Sequence, residues 1–351
     1  MVGTIVSSCS SNHEDDILSH EQPAKFNVSL TRSNEVLKTR SNTEIGDPNE
    51  STLGHVAFYV FKESGSLETS IAATAEQINN GSYTIDCTTG KKYIYAITND
   101  SDLFTEIKKG IQRSDFEARV TQSYSTAPSS PLAMVGKYPD LLSLAPSTDG
   151  STPSATIKID VTRLVGKVTV KLGTEAAAKF QLKQFKIVNA NPQSNYFLQQ
   201  ASYKPADAVS PIPGDYTDQP AFNTWTDSYY IDNYAYVQNG EAAYALENWN
   251  TDPRRGNTTC IIIQGSYKGG ADTYYRFNLG GKAVSWAFNR NTHYQVTISD
   301  VYEDGYTDEG KAEEPEDGKP TDPLVQDVKL SATLQITPWV VVNQDDEIGK
   351  E

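Results

Sequence analysis

Histidine, cysteine and methionine are scarce in this sequence: its 351 residues include four histidines, three cysteines and two methionines. The odd number and wide spacing of Cys9, Cys87 and Cys260 support neither a disulfide framework nor a metal cluster. No two histidines have the spacing of metal ligands, so the sequence predicts no metal and no cofactor. For Cys87 and Cys260 the sequence favours small buried side chains in strands.

Long apolar runs and an excess of positive charge are also missing. No stretch of about 18 or more apolar residues is present, so we expect no membrane-spanning helix. The 30 basic and 45 acidic residues give a formal net charge of −15. Nucleic-acid and anionic-lipid partners need a basic surface, so this balance argues against both of them.

Sequence signatures of enzymes are absent as well. The chain has no glycine-rich loop between a strand and a helix and no nucleophile elbow. Paired carboxylates for glycoside hydrolysis are recognised by their distance in the folded structure. The sequence alone therefore does not exclude such a pair. Of the 45 acidic residues, however, 14 fall in the polar N-terminal tether from Ser10 to Pro23 or in Glu303 to Asp327, where runs of charge are usually solvated. We therefore expect a protein that is not an enzyme.

Alternating apolar residues are the main feature that is present. The longest run, Val328 to Val342, has Leu330, Leu334 and Ile336 on one face and polar residues on the other, which is typical of a half-buried strand. About a dozen short strand patterns fall in two groups with little helix, which predicts an all-β protein of two β-sandwich domains. The expected divisions are a propeptide at 1–40, one sandwich at 41–160, and a second at 161–351 that includes an acidic loop at 302–323 and a terminal arm at 328–348.

A short strand pattern precedes the first domain. Phe26, Val28 and Leu30 alternate with polar residues, and loose polar segments flank them on both sides. Arg32 and Arg40 follow in the second of these segments, and exposed loops of this kind are where proteases cut. The sequence thus predicts one isolated strand with basic cleavage sites just downstream.

Cys9 differs from the other cysteines because Ile5-Val6-Ser7-Ser8 precede it. A branched apolar residue followed by small residues and cysteine is similar to a bacterial lipobox, whose cysteine carries lipid. The alternative is a chance cluster of small residues, since the apolar run before Cys9 is too short for a complete signal peptide. We expect lipidation, with the true start of translation upstream of Met1.

A cluster of aromatic residues lies in the long segment between strands of the second half. Trp225, Tyr229, Tyr230, Tyr234 and Tyr236 have ring faces of the kind that stack on sugars. Alternatively, these aromatic residues cover the end of a sheet or form a contact between subunits.

Several motifs, taken in order along the chain, resemble those of the fimbrillins, the type V pilins of Bacteroidales, and most of all the major structural subunit of their short fimbriae. The motifs are the lipobox-like Cys9, the isolated strand with Thr39-Arg40, Val161-Thr162-Arg163-Leu164-Val165-Gly166-Lys167-Val168, Leu246-Glu247-Asn248, Arg255-Gly256-Asn257-Thr258, Tyr274-Tyr275-Arg276, Asn289-Arg290-Asn291-Thr292-His293-Tyr294 and Ile336-Thr337-Pro338-Trp339. Each motif alone is a weak signal, and the resemblance depends on their order and spacing. It covers almost the whole chain.

The resemblance implies a structural subunit made of two transthyretin-like β-sandwiches. In that family the subunit is exported as an outer-membrane lipoprotein, and an arginine-specific surface protease removes the segment with the first strand. A terminal strand of the neighbouring subunit then fills the groove. Carried over to this sequence, Cys9 would be lipidated, the strand Phe26 to Leu30 would be removed, and the cut would follow Arg40, with Arg32 as the rival site. The donor arm would include Leu334, Ile336, Trp339, Val340 and Val342.

Burial of apolar side chains favours such an exchange. The strand to be removed offers three of them, Phe26, Val28 and Leu30, whereas the terminal run offers up to seven. At about 1.5–3 kcal/mol for each fully buried side chain, the incoming arm would gain several kcal/mol over the leaving strand. The tethered strand competes at an effective concentration of order millimolar until cleavage ends that advantage.

These features together predict a shaft subunit of a cell-surface fimbria that serves adhesion and biofilm formation. The expected partners are other copies of the chain, the arginine-specific protease, accessory anchor and tip subunits, and host or bacterial surface ligands. Two alternatives stay open: a tip or anchor subunit of the same fimbria, and a surface lipoprotein that binds glycan through Trp225 to Tyr236.

Overall fold

The computed structural model describes residues 21–32, 48–119, 121, 127–147, 152–191, 193–197, 235–248, 259–279, 288–313 and 329–339. Strands make up 55% of this described chain and helices 12%, which confirms the all-β class predicted from the sequence. The strands form one eight-stranded sheet from the first half of the chain and two four-stranded sheets from the second half.

The first domain is a single sheet that curls around a core. Its strands are β1 (Pro23–Arg32), β2 (Val56–Lys62), β3 (Leu67–Ala72), β4 (Ser82–Thr88), β5 (Gly90–Thr98), β6 (Met134–Lys137), β7 (Leu142–Leu144) and β8 (Ala155–Arg163). Their order across the sheet is β3, β2, β5, β6, β8, β1, β4, and β7 pairs with the start of β5. Every strand except β3 sends buried side chains into this core, so the sheet folds over on itself.

The apolar character of β2 follows from burial on both of its faces. Phe58 and Val60 point into the core of the first sheet. Tyr59 and Phe61 point the other way, where short helices and segments of the second domain cover them. The helical segments of this domain are a 3-10 turn η1 (Pro48–Ser51), α1 (Ala75–Asn80), α2 (Ser101–Glu106) and α3 (Arg113–Glu117).

The second domain is a sandwich of two four-stranded sheets. Its strands are β9 (Val165–Leu172), β10 (Phe180–Val188), β11 (Val237–Gln238), β12 (Ala242–Leu246), β13 (Cys260–Tyr267), β14 (Asp272–Asn278), β15 (Thr292–Val301) and β16 (Leu330–Pro338), and its short helices are α4 (Thr174–Ala177) and α5 (Glu309–Glu313). One sheet has the order β11, β10, β13, β14 and the other β12, β9, β15, β16. Inward side chains of both sheets, such as Phe185 and Val296, meet in one core, as the alternating pattern predicts.

Two details of connectivity differ from what local sequence signals indicate. The turn residues Gly90-Lys91-Lys92 predict a hairpin between β4 and β5. That prediction is wrong, because β4 pairs with β1 and the segment from Gly90 to Lys92 pairs with β7. The first sheet also continues through β8 to Arg163, and β9 starts the second domain at Val165, a few residues beyond the expected division at 160.

Candidate functional site

β1, the strand whose removal the family resemblance implies, lies inside the first sheet between β4 and β8. Seven residue pairs join β1 to β4 in antiparallel register, and seven join it to β8 in parallel register. Neither side of β1 is open, so its removal would leave unpaired backbone groups on both neighbours. The strand therefore fills a slot with β4 and β8 as its walls, which we call the β1 slot.

The inward side chains of β1 belong to the core of the first domain. Ala24, Phe26 and Val28 are at most 3% exposed, and Leu30 is half-buried at the end of the row. All four pack within the cluster that contains Phe58 and the other inward residues of the sheet. The alternation read from the sequence therefore corresponds to burial in the structure, and the slot has an apolar floor.

Polar contacts hold the outward face of β1 against β4. The Lys25 ammonium lies 3.3 Å from a carboxylate oxygen of Asp86. The Thr84 hydroxyl donates to the side-chain oxygen of Asn27 over 2.9 Å. Both pairs are cross-strand neighbours in the β1–β4 register, so they add side-chain specificity to the backbone ladder.

Charged residues hold the chain at the start of β1. Both carboxylate oxygens of Glu21 lie 2.7 Å from the Lys62 ammonium at the end of β2. The hydrogen bond from Lys62 lowers the pKa of Glu21, and the same bond raises the pKa of Lys62. Close by, the buried Lys92 ammonium donates to Glu68 over 2.5 Å. The ion pair of Glu21 with Lys62 therefore holds the chain where it enters the slot, next to the buried pair of Lys92 with Glu68.

Cys87 lies on the wall of the β1 slot. It is on β4 opposite Ala24 of β1, and its half-buried side chain packs against the core of the first domain. Burial raises the pKa of the Cys87 thiol to about 12. The other described cysteine, Cys260, is fully buried in β13, so both lie in strands as the sequence favours.

The predicted processing residues lie at and beyond the end of β1. Arg32 is the last residue of the strand, and its backbone is paired opposite Val161 of β8. Arg40 and the predicted lipidation residue Cys9 lie outside the described residues.

The C-terminal run forms an edge strand of its own second domain. β16 pairs antiparallel with β15 from Leu330 to Pro338. Leu334 and Ile336, both predicted as donor-arm residues, are half-buried and pack against the core of the second sandwich. Val340 and Val342 lie outside the part of the chain that the structure describes.

Trp339, the third described residue of the predicted arm, is buried between the two domains. Its side chain is only 3% exposed and packs with residues of the first sheet. The ring stacks on Tyr244 with centroids 5.7 Å apart, and the Arg163 guanidinium carbon lies 4.2 Å from its centroid. Such contacts of an aromatic face with a ring and a cation are favourable beyond the burial itself.

Glu50 is the acid at the centre of this contact and is 1% exposed. It accepts hydrogen bonds from the Tyr244 hydroxyl over 2.6 Å and from Trp339 Nε1 over 3.2 Å, and it pairs with Lys167 over 2.9 Å. Arg163 donates to the Glu50 carbonyl over 3.1 Å and to the carbonyl of Trp339 over 3.4 Å. We call Glu50, Arg163, Lys167, Tyr244 and Trp339 the Glu50 cluster. It joins η1, the end of β8, β9, β12 and the end of β16.

A second buried charge cluster holds the chain after β10. Arg290 forms a bidentate ion pair with the Glu247 carboxylate, in which Arg290 Nε lies 2.8 Å from Oε2. The same guanidinium donates to the Ser194 hydroxyl and to the carbonyls of Asn195 and Tyr196. The Tyr196 ring lies in the cluster that covers the first sheet, so Arg290 helps to fix the contact between the domains.

Sequence reasoning missed the chemical role of both clusters, although a signal for them was present. Arg163, Glu247, Arg290 and Trp339 all lie within the motifs that carry the family resemblance. Buried charges are rare unless they are paired, and here each has partners from distant parts of the chain. The motifs therefore mark the residues that hold the two domains together.

The predicted aromatic cluster lies almost wholly outside the described residues. Of its members only Tyr236 is described; it is half-buried, and the Lys186 ammonium lies 5.5 Å from its ring centroid. Within the described ranges, no group of three or more metal-ligating side chains is found. The same ranges contain no helix that is long and apolar enough to cross a membrane.

Comparison with known proteins agrees with the architecture. The family model of the fimbrillin-A associated anchor proteins Mfa1 and Mfa2 matches residues 18–345. A search of curated protein sequences finds no match.

Two solved structures of Porphyromonas gingivalis proteins are similar to this fold. The fimbrilin FimA of strain W83 is 16% identical, with a TM-score of 0.55 over 92% of this chain and 99% of that chain. The tip fimbrial protein Mfa3, in a form with a C-terminal truncation, is 13% identical, with a TM-score of 0.53 over 90% of this chain and 100% of that chain. At these identities the likeness concerns the fold.

Proposed function

Because this chain belongs to the family of the fimbrillin-A associated anchor proteins Mfa1 and Mfa2, we propose that it is a structural shaft subunit of a cell-surface fimbria. The precursor reaches the outer membrane as a lipoprotein anchored through Cys9. An arginine-specific protease then cuts after Arg40, and the C-terminal run of a second copy, residues 328–348, replaces β1. The resulting polymer serves adhesion and biofilm formation.

The observation that carries the proposal is the place of β1 in the sheet. β1 is paired on both sides, yet its only covalent link to the rest of the domain is the stretch 33–47, which contains Arg40. One cut there leaves a fully seated strand that only non-covalent contacts retain. An internal strand that is connected to its domain through chain segments at both ends would not be released by a single cut.

Cleavage changes the competition for the slot without changing the slot. While β1 is tethered, it returns to its place at an effective concentration of order millimolar. After the cut, β1 is a separate peptide whose concentration falls as it diffuses away. An arm that belongs to another subunit then has an advantage, because an added strand gains main-chain hydrogen bonds along both walls.

The structure revises the energetic argument made from the sequence. The terminal run has up to seven apolar side chains, but Leu330, Ala332, Leu334 and Ile336 already pack against the core of the second domain. Their burial is therefore not gained by exchange. Loss of the tether, rather than a larger apolar face, is the stronger driving force for the replacement of β1.

The place of Arg32 favours Arg40 as the cleavage site. Proteases cut chain segments that are free of regular pairing, whereas the backbone of Arg32 is paired with Val161 at the end of β1. A cut after Arg32 would first require the end of the strand to leave the sheet. We therefore assign the cut to Arg40.

The test compares two matched variants, Arg40→Ala and Arg32→Ala, after treatment with an arginine-specific protease. Wild type and Arg32→Ala are expected to form fibres in negative-stain electron microscopy, whereas Arg40→Ala should stay monomeric. Cleaved wild-type protein that remains monomeric, or fibres from the Arg32→Ala/Arg40→Ala double variant, would overturn the proposal. Mass spectrometry of the new N-terminus identifies the cut in each case.

A further inference from the structure

We propose that Glu68 is a positioning residue for strand exchange: its carboxylate binds β4 to the opposite end of the first sheet, so that this wall of the β1 slot stays in place after β1 has left. The inference rests on the proposed function, because it concerns the subunit whose slot is empty. It explains how the empty slot keeps the shape that an incoming strand needs.

The two walls of the β1 slot are held differently once β1 is removed. β8 pairs with β6 on its other side, so it keeps a neighbour in the sheet. β4 is the last strand in the order β3, β2, β5, β6, β8, β1, β4, and among the described strands its ladder partner is β1 alone. Loss of that ladder removes the main-chain hydrogen bonds that fix the direction of β4. β4 is therefore the wall that needs another attachment.

Glu68 supplies such an attachment from β3, the strand at the opposite end of the order. One of its carboxylate oxygens accepts a hydrogen bond from the backbone N–H of Thr88 over 2.6 Å, and the other lies 2.5 Å from the Lys92 ammonium. Lys92 also donates to the Thr88 hydroxyl over 3.0 Å. We call Glu68, Thr88 and Lys92 the Glu68 clasp. It joins β3, the end of β4 and the start of β5 where the two end strands of the curled sheet meet.

A bulge in β3 accounts for the reach of Glu68. Thr69 lies opposite Val60 of β2 and Leu67 lies opposite Phe61, so Glu68 is the extra residue between two consecutive pairs. Bulges are frequent at the edges of sheets, where they change the direction of a side chain. The extra residue is therefore free of the β2–β3 pairing and reaches across to β4.

The Glu68 clasp is buried, which strengthens it. The side chain of Glu68 is 9% exposed and that of Lys92 is 2% exposed. Hydrogen bonds with a charged partner are stronger than neutral ones, and they gain further in a buried site of low dielectric. The Thr88 hydroxyl also donates to Glu21, just before β1, over 3.3 Å, and this contact leaves with β1. The contacts with Glu68 and Lys92 are made by residues that remain.

The other end of β4 is also attached without β1. Helix α1 connects β3 to β4, and a capping box between Thr74 and Gln77 closes its first turn. Gly81 ends the helix with a φ of 65°, a left-handed conformation that glycine adopts without strain, and β4 begins at the next residue. Helix α1 therefore fixes the beginning of β4, and the Glu68 clasp fixes its end.

This arrangement should set the affinity of the empty slot for a strand. A ligand binds more weakly when only a fraction of the protein is in the binding-competent conformation, in proportion to that fraction. Without the clasp, the end of β4 can leave its position, and an incoming strand must then offset the conformational entropy lost when β4 is ordered again. While β1 is seated, its ladder holds β4, so loss of the clasp matters less in the intact protein.

The test uses three double variants, none of which changes the net charge. Glu68→Met/Lys92→Met removes the clasp and leaves no unpaired buried charge, and such replacements often preserve stability. Glu68→Gln/Lys92→Met restores an acceptor oxygen for the Thr88 N–H and is the rescue variant. Glu63→Gln/Lys91→Gln removes an exposed ion pair nearby and is the control variant.

Each protein is cleaved with the arginine-specific protease at low concentration, and the released β1 peptide is washed away. Fluorescence anisotropy then measures the binding of a labelled peptide of residues 21–32. The dissociation constant of the clasp-removing variant should rise at least about tenfold, which is the scale of one hydrogen bond to a charged group. The rescue and control variants should bind like wild type. The melting temperatures of all the uncleaved proteins should be the same.

Equal dissociation constants for wild type and the clasp-removing variant would overturn the inference. Cleaved wild type that binds no peptide would overturn it as well, because the wall would then not persist without β1. A lower melting temperature of the uncleaved clasp-removing variant, with no recovery of peptide binding in the rescue variant, would assign Glu68 a general structural role instead and also overturn it.

Fibre formation separates this inference from the proposed function. It is followed by electron microscopy after cleavage of the same proteins. Wild type that binds the peptide but forms no fibres would contradict the shaft function and support the role of Glu68, provided that the clasp-removing variant binds the peptide more weakly. Fibres that form equally fast from wild type and from the clasp-removing variant would contradict the role of Glu68 and support the shaft function.

Discussion

The indole nitrogen of Trp339 donates a hydrogen bond to the carboxylate of Glu50 across 3.2 Å, although the two residues are 289 positions apart in the chain. Glu50 belongs to η1, the first described element after the proposed processing site, and Trp339 is the last described residue of the chain. The first described element after the proposed cut and the last described residue of the chain therefore meet in one buried cluster between the domains.

Replacement of Glu50 by glutamine should destabilise the protein strongly. The amide keeps the shape of the side chain but leaves the buried ammonium of Lys167 without its counter-charge. Removal of one partner of a buried ion pair costs on the order of 3 kcal/mol in the free energy of unfolding. Urea unfolding measures this loss. The matched control is Glu63→Gln, whose ion pair with Lys91 is more than half exposed and which should leave the unfolding midpoint unchanged. Equal midpoints for Glu50→Gln and wild type would contradict the prediction.

The thiol of Cys87 should report whether the β1 slot is occupied. In the intact protein its pKa is raised to about 12 because burial disfavours the thiolate, so alkylation by iodoacetamide at about pH 8 should be slow. When β1 leaves, Cys87 loses its neighbour Ala24, and the pKa of its thiol should fall toward the ordinary value of an exposed cysteine. More thiolate is then present at the same pH, and the alkylation rate should rise.

Cys260 provides an internal control for this measurement because it is fully buried in the second domain. Its alkylation should stay slow before and after cleavage, and Cys9→Ser removes the remaining thiol. Peptide mass spectrometry distinguishes the sites. A Cys87 rate that does not change when the cleaved β1 peptide is washed away would contradict the exchange at this slot.

A synthetic peptide of residues 21–32 should inhibit polymerisation of the cleaved subunit. It contains the whole of β1 and Glu21, which pairs with Lys62 at the entrance of the slot. The peptide competes with the donated arm for the same walls, so inhibition should increase with its concentration. A control peptide with Phe26→Asp and Val28→Asp carries charges into the apolar floor and should have no effect. Light scattering follows the growth of polymers, and equal inhibition by both peptides would exclude competition for this slot.

The substitution Gly136→Ala should destabilise the wall of the slot. An added Cβ at Gly136 would lie 2.4 Å from the carbonyl oxygen of Asp160 and 2.7 Å from a methyl carbon of Ile159, both on β8. Overpacking of this kind costs about 1–3 kcal/mol. Gly54→Ala is the control, because its Cβ would meet its nearest atoms at 3.7 and 3.8 Å, which is ordinary contact. Thermal unfolding of the two variants should differ clearly, and similar melting temperatures would contradict the expected clash.

Much of the strand content could be predicted from local patterns. The alternation of Phe26, Val28 and Leu30 marks β1, and the continuous apolar run from Val56 to Phe61 marks a strand covered on both faces. These predictions succeed because the period of the side chains depends only on neighbouring residues. The all-β sandwich class follows from the same signals.

The pairing of the strands could not be predicted in this way. Only Thr89 separates β4 from β5 in the chain, yet β4 lies beside β1, which is about 60 residues earlier. Register across such distances depends on the packing of the whole sheet, which no local window contains. The burial of Arg163 and Arg290 could not be predicted in this way either, because their partners come from distant parts of the chain and only the fold brings them together.

The opposite directions of β4 and β8 have a consequence for the polarity of a fibre. β4 runs against β1 and β8 runs with it. A strand that entered the slot in the reverse direction would also have one parallel and one antiparallel neighbour. In that case β4 would be the parallel neighbour and β8 the antiparallel one. The sheet alone therefore does not decide which way an incoming chain must point. The orientation of each subunit relative to the next has to be set by side chains and by the point from which the donated segment starts.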